Sequence, residues 1–192
     1  MKQSRGARTI VFPAPVFVVG TYDSEGRPNM ATAAWGGICC SRPPAVAVSL
    51  RPATYTHGNI VARRAFTINI ASQSYMEEAD YAGIASGRDV DKFAHTGLTP
   101  VRSDLVDAPY VGEYPVVLEC QLREQVQLGL HTLFVGEIMD VKADTNVFDA
   151  EGKIDIEKVK PLIWAPDGGG YYSVGEYLGP AFSVGKRVVA KG

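Results

Sequence analysis

Runs of apolar residues separated by turn residues predict a chain rich in β-strands. Val16 to Tyr22 is apolar and β-branched, and the Asp23-Ser24-Glu25-Gly26 composition after it predicts a hairpin into a strand from Pro28 to Trp35. Further strands are predicted from Ala45 to Leu50 and from Phe66 to Ile70. The first third of the chain is therefore expected to be mostly extended.

Alternation of apolar and polar residues predicts two longer strands further along. In the strand predicted from Val116 to Gln127, one face is apolar and the other is more polar. Gly129 indicates a tight turn into a strand from Leu130 to Ala143, where His131 lies on an otherwise apolar face. A histidine in that setting is by default a core residue bonded to a backbone carbonyl group. A last short strand is predicted at Tyr171 to Ser173.

Helices are predicted between these strands. One runs from Gly58 to Arg64, and a second from about Tyr75 to Ala85, because Ser74 and Glu77 have the spacing of a capping box. Residues 86–111 are irregular in pattern, with short helical potential at their start. A loop-rich segment of this length over a small barrel is typical of a ligand lid.

The length, composition and charge of the chain limit the classes of function that it can have. A chain of 192 residues and 20.7 kDa without an internal linker is long enough for one well-buried core. A formal charge of -2 gives no basic surplus for nucleic acid. The apolar runs are shorter than a membrane span, and the first residues lack the apolar segment of a signal peptide. We therefore expect a cytoplasmic, single-domain protein over 1–192, with residues 1–11 as an N-terminal arm.

Several chemical motifs are missing from the sequence. Neither a G-x-G-x-x-G fingerprint nor a P-loop is present, which argues against dinucleotide-fold and kinase functions. The three histidines are far apart, so a metal site is not expected. The three cysteines form neither a disulfide framework nor a metal-ligand pattern, and we expect them to be reduced packing residues. These cysteines are Cys39, Cys40 and Cys120.

The segment from Ser49 to Thr56 has the composition of a phosphate site. It brings hydroxyl groups and the Arg51 guanidinium just ahead of a predicted helix, whose N-terminus has unpaired backbone N–H groups. The alternative is structural: Thr56 caps the helix and Arg51 is a solvated surface charge. From the residues alone, both interpretations stay open.

Residues 28–69 also resemble a known family. The order Pro-Asn, Ala-Thr, Ala-Trp-Gly, Pro-Pro, Val-Ser, Thr, Asn-Ile and Phe-Thr-Ile-Asn is similar to that of the flavin reductase-like family and, within it, the flavoredoxin branch. The resemblance continues through Asp91-Lys92-Phe93, the segment from His131 to Glu137 and Pro161-Leu162-Ile163-Trp164. It therefore covers nearly the whole chain.

The resemblance implies a fold and a function. The expected fold is mainly β, an FMN-binding split barrel of antiparallel, Greek-key-like topology with a few helices, assembled as a homodimer. The expected activity is transfer of electrons from NADH or NADPH through FMN to a flavin, a metal complex or a protein. Two alternatives remain open: an FMN-carrying electron-transfer protein without direct NAD(P)H oxidation, and a small-ligand barrel that has lost or exchanged its flavin.

The resemblance also assigns roles along the sequence. Residues 29–35 would bind the pyrimidine edge and N5 of the flavin, residues 49–51 would line the path of the ribityl chain, and Arg51, Thr54 and Thr56 would hold the phosphate. Lys92, His131 and Trp164 would cover the ring or its edge, some of them from a second subunit. Lys92 and His131 are the candidates for tuning the flavin, although Lys92 in a polar loop would ordinarily be solvated and either tryptophan would ordinarily be a core residue. The complete set implied for the FMN site is Asn29, Met30, Ala31, Thr32, Ala33, Trp35, Ser49, Leu50, Arg51, Thr54, Tyr55, Thr56, Lys92, His131 and Trp164.

Overall fold

Strands dominate the structure, a computed structural model that describes residues 1–189. In chain order the strands are β1 (Ala14–Pro15), β2 (Phe17–Tyr22), β3 (Pro28–Ala33), β4 (Gly36–Ser41), β5 (Pro44–Leu50), β6 (Ala65–Ile70), β7 (Pro100–Arg102), β8 (Pro109–Val111), β9 (Val116–Leu128), β10 (His131–Ala143), β11 (Ile163–Ala165) and β12 (Gly170–Tyr172). The α-helices are α1 (Tyr55–Arg63), α2 (Met76–Ile84), α3 (Lys92–Thr96), α4 (Ile156–Val159) and α5 (Lys186–Val189). Short 3₁₀ turns occur at Gln73–Tyr75 and Thr145–Val147.

Seven of these strands form one antiparallel sheet. Their order is β3-β2-β6-β9-β10-β5-β4. Strand β3, at one end of this order, also contacts β5 near the other end, so the sheet curls into a barrel. In the described part of the chain, one edge of β4 is unpaired, and the short strands β1, β11 and β12 form a separate sheet.

The β2–β3 hairpin closes as its turn composition predicts. The Asp23 backbone N–H donates to the Arg27 carbonyl oxygen at 3.0 Å, and Gly26 adopts a φ of +80°, a conformation that costs glycine little. The side chain of Asp23 also accepts from the backbone N–H groups of Glu25 and Arg27. These hydrogen bonds fix the side chain of Asp23 in the turn between β2 and β3.

Two apolar cores lie on the two faces of β2 and its neighbours. The first core is inside the barrel, where Val19, Ile68 and Phe134 pack with Ile60 of α1. The second lies on the outer face, where Val18 and Met30 pack against buried residues of α2 and α3. Burial on both faces explains why the β2 sequence is continuously apolar instead of alternating.

Comparison with the predicted elements shows where the sequence patterns were insufficient. The strand predicted to end at Trp35 ends at Ala33, and five strands were missed: β1, β4, β7, β8 and β11. The predicted capping box of α2 was wrong: Tyr75 occupies the N-cap position without a side-chain cap, because a 3₁₀ turn precedes the helix. The packing role predicted for the cysteines holds only for Cys120, since Cys39 and Cys40 are exposed in this chain on the edge strand β4.

None of the helices within residues 1–189 has the length and apolar character required to cross a membrane.

Candidate functional site

A polar cavity of about 230 Å³ lies between the end of β5, the start of α1 and the end of α2. The side chains with hydroxyl groups that line it come from three segments of the chain, and two cations complete the wall. The lining residues are Ala31, Thr32, Leu50, Ala53, Thr54, Tyr55, Thr56, Ala82, Gly83, Ala85, Ser86, Gly87, Arg88 and Lys92. Hydroxyl groups, ammonium and guanidinium together are the chemistry of an anion site.

Helix α1 begins in this cavity. Thr54 is its N-cap, with extended backbone angles (φ -77°, ψ 146°), and Thr54 Oγ1 accepts from the His57 backbone N–H at 3.3 Å. The structural alternative in which Thr56 caps the helix was therefore wrong. Thr56 is buried instead, and its Oγ1 accepts a hydrogen bond from Asn29 Nδ2 at 2.9 Å. The first-turn amides of a nine-residue helix add a partial positive charge at this end.

Lys92 is the most unusual group in the cavity wall. It is 4% exposed, not solvated as a lysine in a polar loop would be, and its Nζ donates to the Ala82 carbonyl oxygen at 2.7 Å. Within residues 1–189 it forms no ion pair with a carboxylate, and burial lowers its pKa to about 8. A buried ammonium group with only a neutral partner is costly, and an anion in the cavity would stabilise it.

An exposed arginine closes one side of the same cavity. Arg88 Nη1 donates to the Ala53 carbonyl oxygen at 2.8 Å, and its Cζ lies 5.4 Å from the centre of the Tyr55 ring. The Tyr55 hydroxyl group in turn donates to Asp23 Oδ2 at 2.9 Å. The hairpin turn thus anchors Tyr55, and Tyr55 supports Arg88.

The buried carboxylate at this anchor has a depressed pKa. Burial alone would raise the pKa of Asp23, but hydrogen bonds from the backbone and side chain of Arg27, from Tyr55 and from the Glu25 backbone outweigh it and lower the pKa to about 2. Arg27 Nε donates to Asp23 Oδ2 at 2.7 Å, and Arg63 donates to the Asp23 carbonyl oxygen. Asp23 therefore stays ionised and joins the hairpin to α1.

A separate apolar hollow of about 500 Å³ lies beside β4 and β5, and residues of β1 also line it. Trp35, Ile38, Ser49 and Leu133 line it together with residues of the N-terminal arm such as Val11. The Trp35 ring lies 4.6 Å from the His131 ring, centre to centre. A planar apolar group would find aromatic contacts here.

The structure divides the predicted site residues among these surroundings. Ala31, Thr32, Leu50, Thr54, Tyr55, Thr56 and Lys92 line the polar cavity. Trp35 and Ser49 line the apolar hollow, with His131 against Trp35, whereas Asn29 lines a third cavity that adjoins the polar one. Met30 and Ala33 are buried in the two cores.

Two predicted residues lie apart from these cavities. Arg51 is exposed and lines none of the three cavities. Trp164, in β11, pairs with Ala14 and packs against the outer core.

Within residues 1–189 His131 makes no hydrogen bond to a backbone carbonyl group, so the default expected of a core histidine was wrong.

Sequence reasoning missed the segment from Ala82 to Arg88. It contributes Gly83, Ser86, Gly87 and Arg88 to the polar cavity. A Cβ on Gly87 would overlap Asn29 Oδ1 and approach Tyr55 Cδ1 to 2.8 Å, so the segment packs against β3 and α1 only because this residue is glycine. In the sequence, Gly83 and Gly87 near the end of the predicted helix were the feature that could have indicated this segment.

The family model described as the flavin reductase like domain matches residues 8–174 of the chain. The chain belongs to the flavin reductase-like family. The resemblance inferred from the sequence and the predicted fold class, a mainly β split barrel, are thereby confirmed.

Solved structures with the same fold include two flavoredoxins. The flavoredoxin of Desulfovibrio vulgaris (Miyazaki F) is 57% identical, with a TM-score of 0.93 over 96% of this chain and 100% of its own. That of Methanosarcina acetivorans is 26% identical, with a TM-score of 0.90 over 98% of this chain and 100% of its own. An FMN-binding protein from Thermus thermophilus is 25% identical, with a TM-score of 0.79 over 94% of this chain and 100% of its own. Proteins with a similar fold thus include some described as flavoredoxins and one described as FMN-binding.

Proposed function

We propose that this protein binds FMN through its phosphate in the polar cavity and transfers electrons from NADH or NADPH to a flavin, a metal complex or a protein acceptor. The observation that carries the proposal is Lys92, a buried ammonium group without a carboxylate partner within residues 1–189, beside the N-terminus of α1. Family membership and the name of the Thermus thermophilus relative support FMN as the ligand.

The donors of the cavity fit a phosphate monoester dianion. Lys92 and Arg88 supply positive charge, Ser86 supplies a hydroxyl donor, and the first turn of α1 supplies backbone N–H groups. The Thr54 hydroxyl group donates to the Arg51 carbonyl oxygen at 2.9 Å and so helps to hold the start of the helix in place. Among the residues that the structure describes, no carboxylate lines this cavity. The chemistry of the donor set therefore matches the anionic end of FMN.

The dimensions of the cavity leave the flavin ring outside it. Whole-ligand pockets range from about 300 to 1,000 Å³, whereas this cavity measures about 230 Å³, enough for a phosphate and part of the ribityl chain. Thr32 and Leu50 line it, and the nearby residues Ala34, Trp35 and Ser49 line the apolar hollow. These strand ends give a path from the phosphate to an aromatic surface for the ring.

FMN, when bound, supplies the redox chemistry by accepting a hydride at N5 and passing electrons on singly or in pairs. The protein has to bind and orient it and to set the charge around it. We assign Lys92 and the start of α1 to the phosphate, and Trp35 and His131 to the ring. Because Lys92 and His131 lie in different surroundings, His131 remains the candidate for tuning the ring, where an imidazole N–H donor would stabilise negative charge.

A second candidate function is electron carriage without direct oxidation of NAD(P)H. It is favoured by the 57% identity to the flavoredoxin of Desulfovibrio vulgaris, a likeness that spans the full length of that chain. In that case a protein partner, instead of a nicotinamide nucleotide, reduces the flavin.

An anaerobic visible spectrum before and after addition of NADH and then NADPH separates these functions. The first proposal predicts yellow flavin bands that bleach with one or both nucleotides. Bands that persist with both nucleotides and bleach with dithionite would identify the electron carrier. A colourless protein that FMN does not stain would overturn both and favour a barrel that binds another small ligand.

A further inference from the structure

The amine of Lys92 lies in the wall of the polar cavity and is held there by one hydrogen bond. The side chain is 4% exposed, so a reagent reaches the amine by entering the cavity. Nζ donates to the Ala82 carbonyl oxygen at 2.7 Å. In the neutral amine one N–H keeps this bond, and the lone pair is then available to attack an electrophile held in the cavity.

Burial makes the neutral amine accessible near pH 8. Desolvation lowers the pKa of Lys92 to about 8. At pH 8 about half of these amines are neutral, compared with about 0.3% for a lysine with the ordinary pKa of 10.5. Because the neutral amine is the nucleophile, Lys92 is activated relative to an ordinary surface lysine.

The other charged groups near this amine do not titrate in the same range. Arg88 and Tyr55 line the cavity with Lys92; arginine stays protonated, and burial raises the pKa of Tyr55. Strand β3, which packs against α3, has no titratable side chain, and the carboxylates and the tyrosine of α2 do not line the cavity. Asp89 and Asp91 line the adjoining cavity instead. A change in reactivity between pH 7 and pH 9 is therefore assigned to Lys92 itself.

The cavity also has donors that bind a phosphate group without using Lys92. These are the Arg88 guanidinium, the Ser86 hydroxyl group and the first-turn amides of the nine-residue helix α1. A phosphate bound by these donors leaves the Lys92 amine available. The volume of about 230 Å³ suits a phosphate with a small substituent and is below that of pockets for whole ligands of drug size. A small group attached to the phosphate is thus confined beside the amine.

We propose that Lys92 is acylated by a small acyl phosphate, such as acetyl phosphate, when the cavity does not hold FMN. The inference rests on the proposed function, because the acyl phosphate uses the same donors as the phosphate of FMN. The cavity brings a nucleophile and an activated carbonyl group together, which replaces a bimolecular encounter by a reaction within one complex.

The reaction is an acyl transfer without oxidation or reduction. The amine nitrogen forms a bond to the carbonyl carbon, and the bond between that carbon and the phosphate oxygen breaks. The proton lost by the amine leaves with the phosphate as HPO₄²⁻. The amide that is formed is neutral, so acylation removes a cation from the phosphate site. Protein acetylated at Lys92 is expected to bind FMN at least about tenfold more weakly.

Peptide mapping by mass spectrometry tests this modification. The full-length, flavin-free chain is incubated with acetyl phosphate at pH 8, and the acetyl groups on individual lysines are quantified over time. Lys92 is expected to react at least about tenfold faster than Lys153, an exposed lysine in the same sample. Saturating FMN is expected to slow the acetylation of Lys92 at least about tenfold and to leave that of Lys153 unchanged.

The pH dependence identifies the buried amine. At low acetyl phosphate concentration the second-order rate constant reports the ionisation of the free protein. For Lys92 it is expected to rise about tenfold per unit below the pKa and to level off above pH of about 8. A rate constant that continues to rise from pH 9 to pH 10 would contradict attack by this amine.

Acetyl-CoA offers the same acetyl group as a thioester that is remote from its phosphates, and it separates the two sources. Phosphate-directed acylation predicts that the preference for Lys92 over Lys153 is lost with acetyl-CoA. An equal preference with both donors would show that the phosphate of the reagent is not recognised, and it would overturn the inference.

Two outcomes distinguish failure of this inference from failure of the proposed function. Acetylation of Lys92 no faster than that of Lys153, in a protein that still binds FMN, would overturn the inference alone. Selective acetylation of Lys92 that saturating FMN does not slow would support the acyl phosphate site and contradict the assignment of the cavity to the FMN phosphate.

Discussion

At the level of a single residue, burial of the Lys92 ammonium group favours binding of an anion. Its ammonium group is buried and bonded only to the Ala82 carbonyl oxygen within the described residues, and burial lowers its pKa to about 8. A phosphate dianion bound nearby stabilises the ammonium form and raises that pKa again. The cost of burying the charge in the free protein is thus recovered when the anion binds.

A pH titration of FMN affinity tests this role of Lys92. Because the complex holds the proton more tightly than the free protein, the affinity is expected to be constant between pH 7 and the free-protein pKa of about 8. Above that pKa it is expected to fall by up to about tenfold per pH unit. Lys92→Met is expected to bind more weakly at pH 7 and to lose this fall, whereas Lys153→Met, at an exposed site, keeps it. A wild-type affinity that stays constant from pH 7 to pH 10 would remove Lys92 from the phosphate site.

Asp23 contributes to the stability of the fold, and this contribution is lost at low pH. The contribution of Lys92 to FMN affinity is expected to be lost at high pH instead. Its carboxylate is buried at the hairpin turn, and its folded-state pKa of about 2 lies below the ordinary value of 3.8. Ionised Asp23 therefore stabilises the fold above pH 4, and this stabilisation is lost as the pH falls through about 2. The depression of the pKa corresponds to about 2 kcal/mol.

Asp23→Asn is expected to lower the free energy of unfolding at pH 7 by about 2 kcal/mol. The difference from the wild type should shrink between pH 4 and pH 2, where the wild-type carboxylate becomes protonated. Urea unfolding at a series of pH values measures both quantities. A difference that stays constant over this range would show that the substitution acts through packing and not through the charge.

At the level of secondary-structure elements, the start of α1 contributes both to the stability of the fold and to the candidate binding site. Thr54 caps the helix, and the same residue lines the polar cavity. Thr54→Ala is expected to cost about 1 kcal/mol of stability. It is also expected to weaken FMN binding about threefold to tenfold, because the first turn of α1 loses the side chain that caps it and that bonds to the Arg51 carbonyl oxygen. Thr54→Ser retains the hydroxyl and serves as the matched control, measured by thermal unfolding and calorimetry. Equal losses in the alanine and serine variants would contradict the capping argument.

The strands could be predicted from the sequence more fully than the site could. Alternation and turn residues identified β2, β5, β6, β9 and β10 to within a few residues, because burial of a pleated strand leaves its pattern in the sequence. Strand β4 was missed because its Gly-Gly-Ile-Cys-Cys-Ser sequence is poor in β-branched residues and one of its edges is unpaired.

The missed part of the site depends on tertiary packing. Helix α2 packs against β3, where the Thr32 hydroxyl bonds to the Ala79 carbonyl oxygen, and this contact brings the segment from Ala82 to Arg88 to the start of α1. Local sequence carries no information about such a contact. Thr54 and Lys92, which the resemblance assigned to the FMN site, line this cavity, whereas neither pattern nor resemblance indicated Arg88.

For the whole molecule, the exposed apolar surface beside β4 favours the homodimer implied by the family resemblance. Trp35, Ile38 and Leu130 are 39%, 69% and 63% exposed, and β4 has an unpaired edge. An exposed edge strand next to apolar side chains is normally covered in a stable protein. We propose that a second copy of the chain covers it.

Light scattering coupled to size-exclusion chromatography tests this proposal. The wild type is expected to elute as a dimer of about twice the 20.7 kDa chain mass, and Ile38→Lys is expected to shift it toward the monomer because it places a charge in the interface. Ile84→Lys is the matched control, since Ile84 is 77% exposed on α2. A monomeric wild type, or equal effects of the two substitutions, would contradict the proposed interface.

The central claim, that the polar cavity binds the phosphate of FMN, is tested most directly by comparing FMN with riboflavin, which lacks the phosphate. Calorimetric titration of both ligands into the wild type and Lys92→Met measures the contribution of the phosphate. We expect FMN to bind the wild type about a hundredfold more tightly than riboflavin, and Lys92→Met to lose most of that difference while keeping its affinity for riboflavin. Equal affinities of the wild type for FMN and riboflavin would contradict the claim.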